Sequence, residues 1–126
     1  TMPTDALAAM RDVMLETEAY GFARVCEEQR ELGRRVRALL ESHGIPSVAA
    51  AGFQAPGVVV SYTSDPDIQS GRKFLAVGVQ TAAGVPLMCD EPPEFRTFRI
   101  GLFGLEKLHN PERTVDNFDK ALYAIA

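Results

Sequence analysis

The sequence predicts an α+β domain, a two-layer sandwich of a small, mainly antiparallel sheet with helices packed on one face. Three observations carry that expectation. Long stretches at both ends repeat apolar residues at helical spacing, β-branched or alternating stretches lie between them, and Pro, Gly and Asp cluster at the junctions. The 126 residues suffice for one domain with its own core, and residues 1–126 are read as that single domain.

Residues 4–17 read as a first helix. Thr4 follows Pro3 as an N-cap, Asp5 suits the positive end of the helix dipole, and Leu7, Met10, Val13, Met14 and Thr17 share a side. Tyr20-Gly21 interrupts it, and a second helix spans 22–42 with the stripe Phe22, Val25, Cys26, Gln29, Leu32, Gly33, Val36, Leu39 and Leu40. A glycine inside a helix costs about 1 kcal/mol, so Gly33 on the apolar stripe predicts close approach of a neighbouring element. Glu27, Glu28, Arg30, Glu31, Arg34, Arg35 and Arg37 form the opposite, solvated face. Gly44 is placed to end this helix and Pro46 to block its extension.

Residues 48–53 are a weak, Ala-rich strand candidate, and 58–63 a good one by β-branched content. Asp65 and Pro66 are an N-cap and N1 pair opening a helix over 66–79, whose Gly71 and Gly78 are expected to lie tight on the sheet. Residues 80–85 read as a short extended segment, and Asp90-Glu91-Pro92-Pro93-Glu94 as an acidic, proline-rich loop. Residues 105–109 lead to Asn110-Pro111-Glu112, a third helix start, and the last helix carries Val115, Phe118, Leu122 and Ile125.

Between that loop and the last helix stands Phe95-Arg96-Thr97-Phe98-Arg99-Ile100-Gly101-Leu102-Phe103-Gly104. As a strand it puts Phe98, Ile100 and Leu102 on one side, and Thr97, Arg99 and Gly101 on the other. An arginine between two small residues leaves room for a ligand to lie against the sheet, and a guanidinium is well shaped to hold a carboxylate with two parallel hydrogen bonds. The same pattern also fits a solvated arginine on an open sheet face.

Composition narrows the partners. The net charge is -4 with no basic run, which argues against nucleic acid or an anionic membrane surface. No apolar run reaches the length of a membrane span, and the composition fits a cytoplasmic protein. Cys26 and Cys89 are too few for a disulfide framework or metal knuckle and are read as small buried or half-buried fillers. His43 and His109 are read as cap or surface residues. Ser61, Ser64 and Ser70 lack a nucleophile context, so no catalytic or metal-binding constellation stands on its own.

The stretch Arg99-Ile100-Gly101-Leu102-Phe103-Gly104, followed by a helix rich in Val, Phe and Leu, resembles the C-terminal signature of class V aminotransferases. These are fold type I pyridoxal-phosphate enzymes, a group that includes alanine–glyoxylate and serine–glyoxylate aminotransferases. The resemblance covers the order of elements along the whole chain. It implies that Arg99 binds the substrate's α-carboxylate. Thr1-Met2-Pro3 resembles a T-x-P that follows a Tyr-His pair at the end of the family's large domain, which implies that the Thr1 hydroxyl reaches the cofactor phosphate of the neighbouring subunit. The upstream Tyr-His is absent. So is the large domain, with the Schiff-base lysine and the aspartate on the pyridine nitrogen.

Lys73, Lys107 and Lys120, the only lysines, sit in polar surface contexts, so this chain alone is not expected to transaminate or to bind pyridoxal 5'-phosphate. The resemblance thus implies a small C-terminal domain, whose partners are its own missing large domain, a second copy in a homodimer, and small amino acid and 2-oxo acid substrates such as glyoxylate or pyruvate. A start at Thr1 rather than Met2 fits either a residue added before a true start or a piece of something longer. The alternative from the residues alone is a free-standing α+β module for small-ligand binding or dimerisation, and a third is an inactive fragment paired through its uncovered sheet face.

Overall fold

The computed structural model describes residues 2–126. The elements are α1 (Thr4–Tyr20), α2 (Phe22–Ser42), β1 (Val58–Tyr62), α3 (Pro66–Gln69), α4 (Arg72–Ala76), β2 (Ala82–Ala83), β3 (Thr97–Gly101), α5 (Leu105–His109) and α6 (Pro111–Ile125). The sheet is antiparallel throughout in the order β1-β3-β2, so the strand bearing Arg99 is the central one. The expected α+β sandwich is what forms.

One face of the sheet makes the core. Phe98, Ile100 and Leu102 join Val59 of β1, Leu32, Val36 and Leu40 of α2, Phe74 of α4, and Phe118, Leu122 and Ile125 of α6. The Phe74 ring lies 5.5 Å from that of Phe98 and 5.7 Å from that of Phe118, a triplet that joins both short layers. His43 at the end of α2 meets the Asp119 carboxylate of α6 at 2.7 Å and the edge of the Tyr123 ring, fastening α2 to α6.

Several junctions form as their residues dictate. Ile45 donates its N–H to the Leu40 carbonyl at 2.9 Å around a left-handed Gly44, closing α2. The Asp65 side chain accepts from the N–H groups of Asp67 and Ile68 and pairs with Lys73 at 2.8 Å, and Lys73 first, then the Asp67 N–H, holds its carboxyl below the usual range. Gly33 does mark a close approach: a Cβ there would meet the Pro56 carbonyl oxygen at 2.5 Å.

Other expectations are corrected. Residues 48–53 form no strand; an isolated bridge, Ser47 to Ser61, lies just before them, and the segment turns through a left-handed Gly52. The helix over 66–79 is two short helices, because Gly71 takes φ 80° and starts α4 afresh, while Gly78 turns the chain away with nothing against it. Residues 105–109, expected only to lead out, form α5. Arg37 is not on the solvated face: it is 6% exposed and donates to the carbonyls of Ala55 and Val58, and burial pushes its pKa down. Cys26 and Cys89 are exposed rather than buried. Thr4 and Asn110 make no side-chain cap; Asn110 instead donates to the Glu106 carbonyl. The stripe of α1 buries nothing.

Candidate carboxylate-binding face

Opposite the core, the sheet presents the other set of alternating residues. Val60 of β1 and Ala82 of β2 stand directly across from Arg99 on either side, so the guanidinium rises from a row with an aliphatic and a small neighbour. Its Nε donates to the Ala83 carbonyl at 2.9 Å. That bond ties the side chain to the edge strand. Among the described residues, no carboxylate pairs with Arg99.

Thr97, two residues earlier on the same face, is 2% exposed. The Gly84 backbone lies on it so closely that a Cβ at Gly84 would overlap the Thr97 carbonyl and hydroxyl oxygens. Beyond Gly84 the chain walls a cavity of about 450 Å³, lined by Gln69, Val85, Met88, Glu91, Phe95 and Thr97 among others. Glu91 pins the turn of this loop. Its carboxylate accepts the N–H groups of Leu87 at 2.6 Å, Met88 at 3.0 Å and Cys89 at 2.8 Å, a nest of three successive amides. These bonds, with that of Cys89 the strongest, push the Glu91 carboxyl down to about 2. Met88 (φ 59°) and Asp90 (φ 61°) are left-handed without being glycine, a backbone cost the carboxylate offsets. Sequence reading took Asp90-Glu91-Pro92 only as an acidic loop; a nest depends on φ values that no residue pattern signals.

The remaining candidates lie elsewhere. Thr1 is outside the described residues. Lys73 pairs with Asp65, Lys107 donates to the Phe103 carbonyl at 2.8 Å, and Lys120 is exposed on α6; none lines the cavity beside Thr97. His109 stacks on Tyr20 at 4.6 Å, while Arg24 covers the same ring at 4.2 Å and the Tyr20 hydroxyl donates to Glu28. The Tyr20 bond first, then Arg24, holds the Glu28 carboxyl below its usual range. Both histidines are thus structural joints in this fold. Among the described residues no cluster of His, Cys, Asp or Glu could hold a metal ion, and no helix is long and apolar enough to cross a membrane.

The fold is that of part of a known enzyme. The crystal structure of an alanine–glyoxylate aminotransferase from Nostoc sp. superimposes with a TM-score of 0.77 at 17% sequence identity, covering 99% of this chain and 32% of that one. The chain therefore spans about a third of the length of the enzyme it matches. No family model and no curated protein sequence matches it.

Proposed function

We infer that this chain is the small C-terminal domain of a class V, fold type I aminotransferase, and that Arg99 receives the α-carboxylate of its substrates. The observation that carries this reading is the Arg99 geometry. The side chain stands on the middle strand, on the sheet face opposite the core, is tethered through Nε to the Ala83 carbonyl, and has no carboxylate partner among the described residues. The aminotransferase likeness of the fold supports it.

The residues present do not make a pyridoxal-phosphate site. Each lysine is engaged or stands on the surface, so the cofactor, which supplies the electron sink for amino-group transfer, belongs to the rest of such a protein. On this reading the chain alone does not transaminate. It positions an amino acid donor and a 2-oxo acid acceptor such as glyoxylate or pyruvate in turn, within a cytoplasmic homodimer. Fixing the carboxylate at Arg99 fixes the direction of the bonds at the adjacent α-carbon.

A charge-assisted hydrogen bond contributes about 1.5–3 kcal/mol, which is about ten- to hundredfold in binding. In the protein carrying both domains, Arg99→Ala is expected to raise KM for donor and acceptor by that factor, with the cofactor absorbance retained. Arg99→Lys should recover only part, because a point charge replaces the fork. Unchanged KM values in Arg99→Ala would remove Arg99 from the site.

A further inference from the structure

We propose that the helix side of the sheet carries a second, separate binding site: a cleft at the far end of β3 that takes a small monocarboxylate with an apolar body. It begins with a mismatch of strand lengths. β2 pairs only with Phe98 and Arg99, so Ile100 and Gly101 have no strand beside them on that edge. The Leu102 N–H goes to the Gly57 carbonyl on the β1 side. Alternation along the strand therefore turns the N–H and C=O of Gly101 toward the edge that β2 leaves vacant. The turn after α4 and the helices α5 and α6 close around that edge and leave a cavity of about 430 Å³. The volume lies within the usual range of small-molecule sites, roughly 300–1,000 Å³.

The lining separates by chemistry. Ile100, Leu102 and Phe118 form the floor, each 7% exposed or less, and all three belong to the core rather than to the Arg99 face. The cleft is thus walled by this chain's own packed side chains. Gln80, Lys107 and Asn117 stand at the rim. The Arg113 guanidinium beside them is already neutralised by Glu106 at 2.6 Å. Lys107 is not: it enters no ion pair among the described residues, and its Nζ donates only to the Phe103 carbonyl at 2.8 Å. The side-chain amides of Gln80 and Asn117 make no hydrogen bond among the described residues, so both can serve a ligand. One uncompensated ammonium calls for a single negative charge, and the floor for an aryl or branched alkyl group. A doubly charged phosphate would leave one charge unpaired over an apolar floor.

The test is a titration of the isotopically labelled chain with phenylacetate, followed through backbone amide shifts in wild type and in Arg99→Ala. One charge-assisted contact and one buried ring predict a dissociation constant on the order of 1 mM. Saturable shifts are expected at Gln80, Gly101, Leu102, Lys107 and Asn117. They should persist in Arg99→Ala, so failure of the carboxylate role at Arg99 would leave this site standing. Lys107→Gln should weaken binding about tenfold or more, and so should replacing the probe by the neutral phenylacetamide. Lys107 is exposed on α5, and the spectrum without ligand establishes that the variant is folded. The absence of saturable shifts at these amides about tenfold above that concentration would overturn the proposal. So would shifts that vanish in Arg99→Ala, or equal affinity for phenylacetamide or in Lys107→Gln.

Discussion

Arg99 and Glu91 illustrate two uses of one type of bond. In the first, a guanidinium donates from Nε to the carbonyl of the neighbouring strand; in the second, a carboxylate spends both oxygens on its own loop. The Glu91 arrangement has a direct pH signature. Its pKa is lowered from 4.5 to about 2, so the loop's stabilisation is fully present above 4.5 and is lost as pH falls through about 2. The amide proton resonances of Leu87, Met88 and Cys89 are expected to titrate together with a midpoint near 2, and to lose that titration in Glu91→Gln. Midpoints at the ordinary carboxylate value would show that the nest does not hold Glu91 in solution. The alternation of Phe98, Arg99 and Ile100 was enough to foresee which of these side chains faced the core. The partner of Glu91 was not, because three backbone amides leave no trace in the residue types.

At the scale of the element, α2 is the clearest case of sequence and structure agreeing for a reason. Its stripe is buried from Leu32 to Leu40, and Gly33 sits where the Pro56 carbonyl crosses the helix. In an exposed helix, Gly→Ala stabilises by about 1 kcal/mol. Here the new methyl would meet backbone, so Gly33→Ala is expected to destabilise by about 1–3 kcal/mol in urea unfolding, the opposite sign. A stabilised Gly33→Ala would mean that the loop at Pro56 yields freely. One helix was misread because spacing carries no dihedral angle. The wheel of residues 66–79 counts spacing but not φ, and Gly71 in the left-handed region divides the stretch into α3 and α4. In α1 the spacing identified the apolar side correctly, yet periodicity says which side is apolar and not whether anything covers it. Arg37 was assigned to solvent because its charge was weighed and its four-carbon reach to the Ala55 and Val58 carbonyls was not.

The whole molecule is one-sided. Helices cover one face of a three-stranded sheet, and the other face keeps Arg99 at its centre with Val60 and Ala82 beside it. An antiparallel sheet can leave one face open, and an arginine there suits the proposed carboxylate. The two N-terminal helices, the strands around Val59 and Phe98 and the last helix were legible in the sequence, because helical periodicity, alternation and β-branching are local. The cavity beside Thr97 was not, because it arises where Gly84 presses on a strand thirteen residues away.

The most direct measurement is a titration of the isotopically labelled chain with acetate, L-alanine and pyruvate, followed through backbone amide shifts. One charge-assisted contact predicts dissociation constants on the order of 10–100 mM. Saturable shifts should centre on Thr97–Gly101 and Ala82–Ala83, and Arg99→Ala should abolish them. Shifts that persist in Arg99→Ala, or that centre away from the sheet's open face, would contradict Arg99 as the carboxylate anchor.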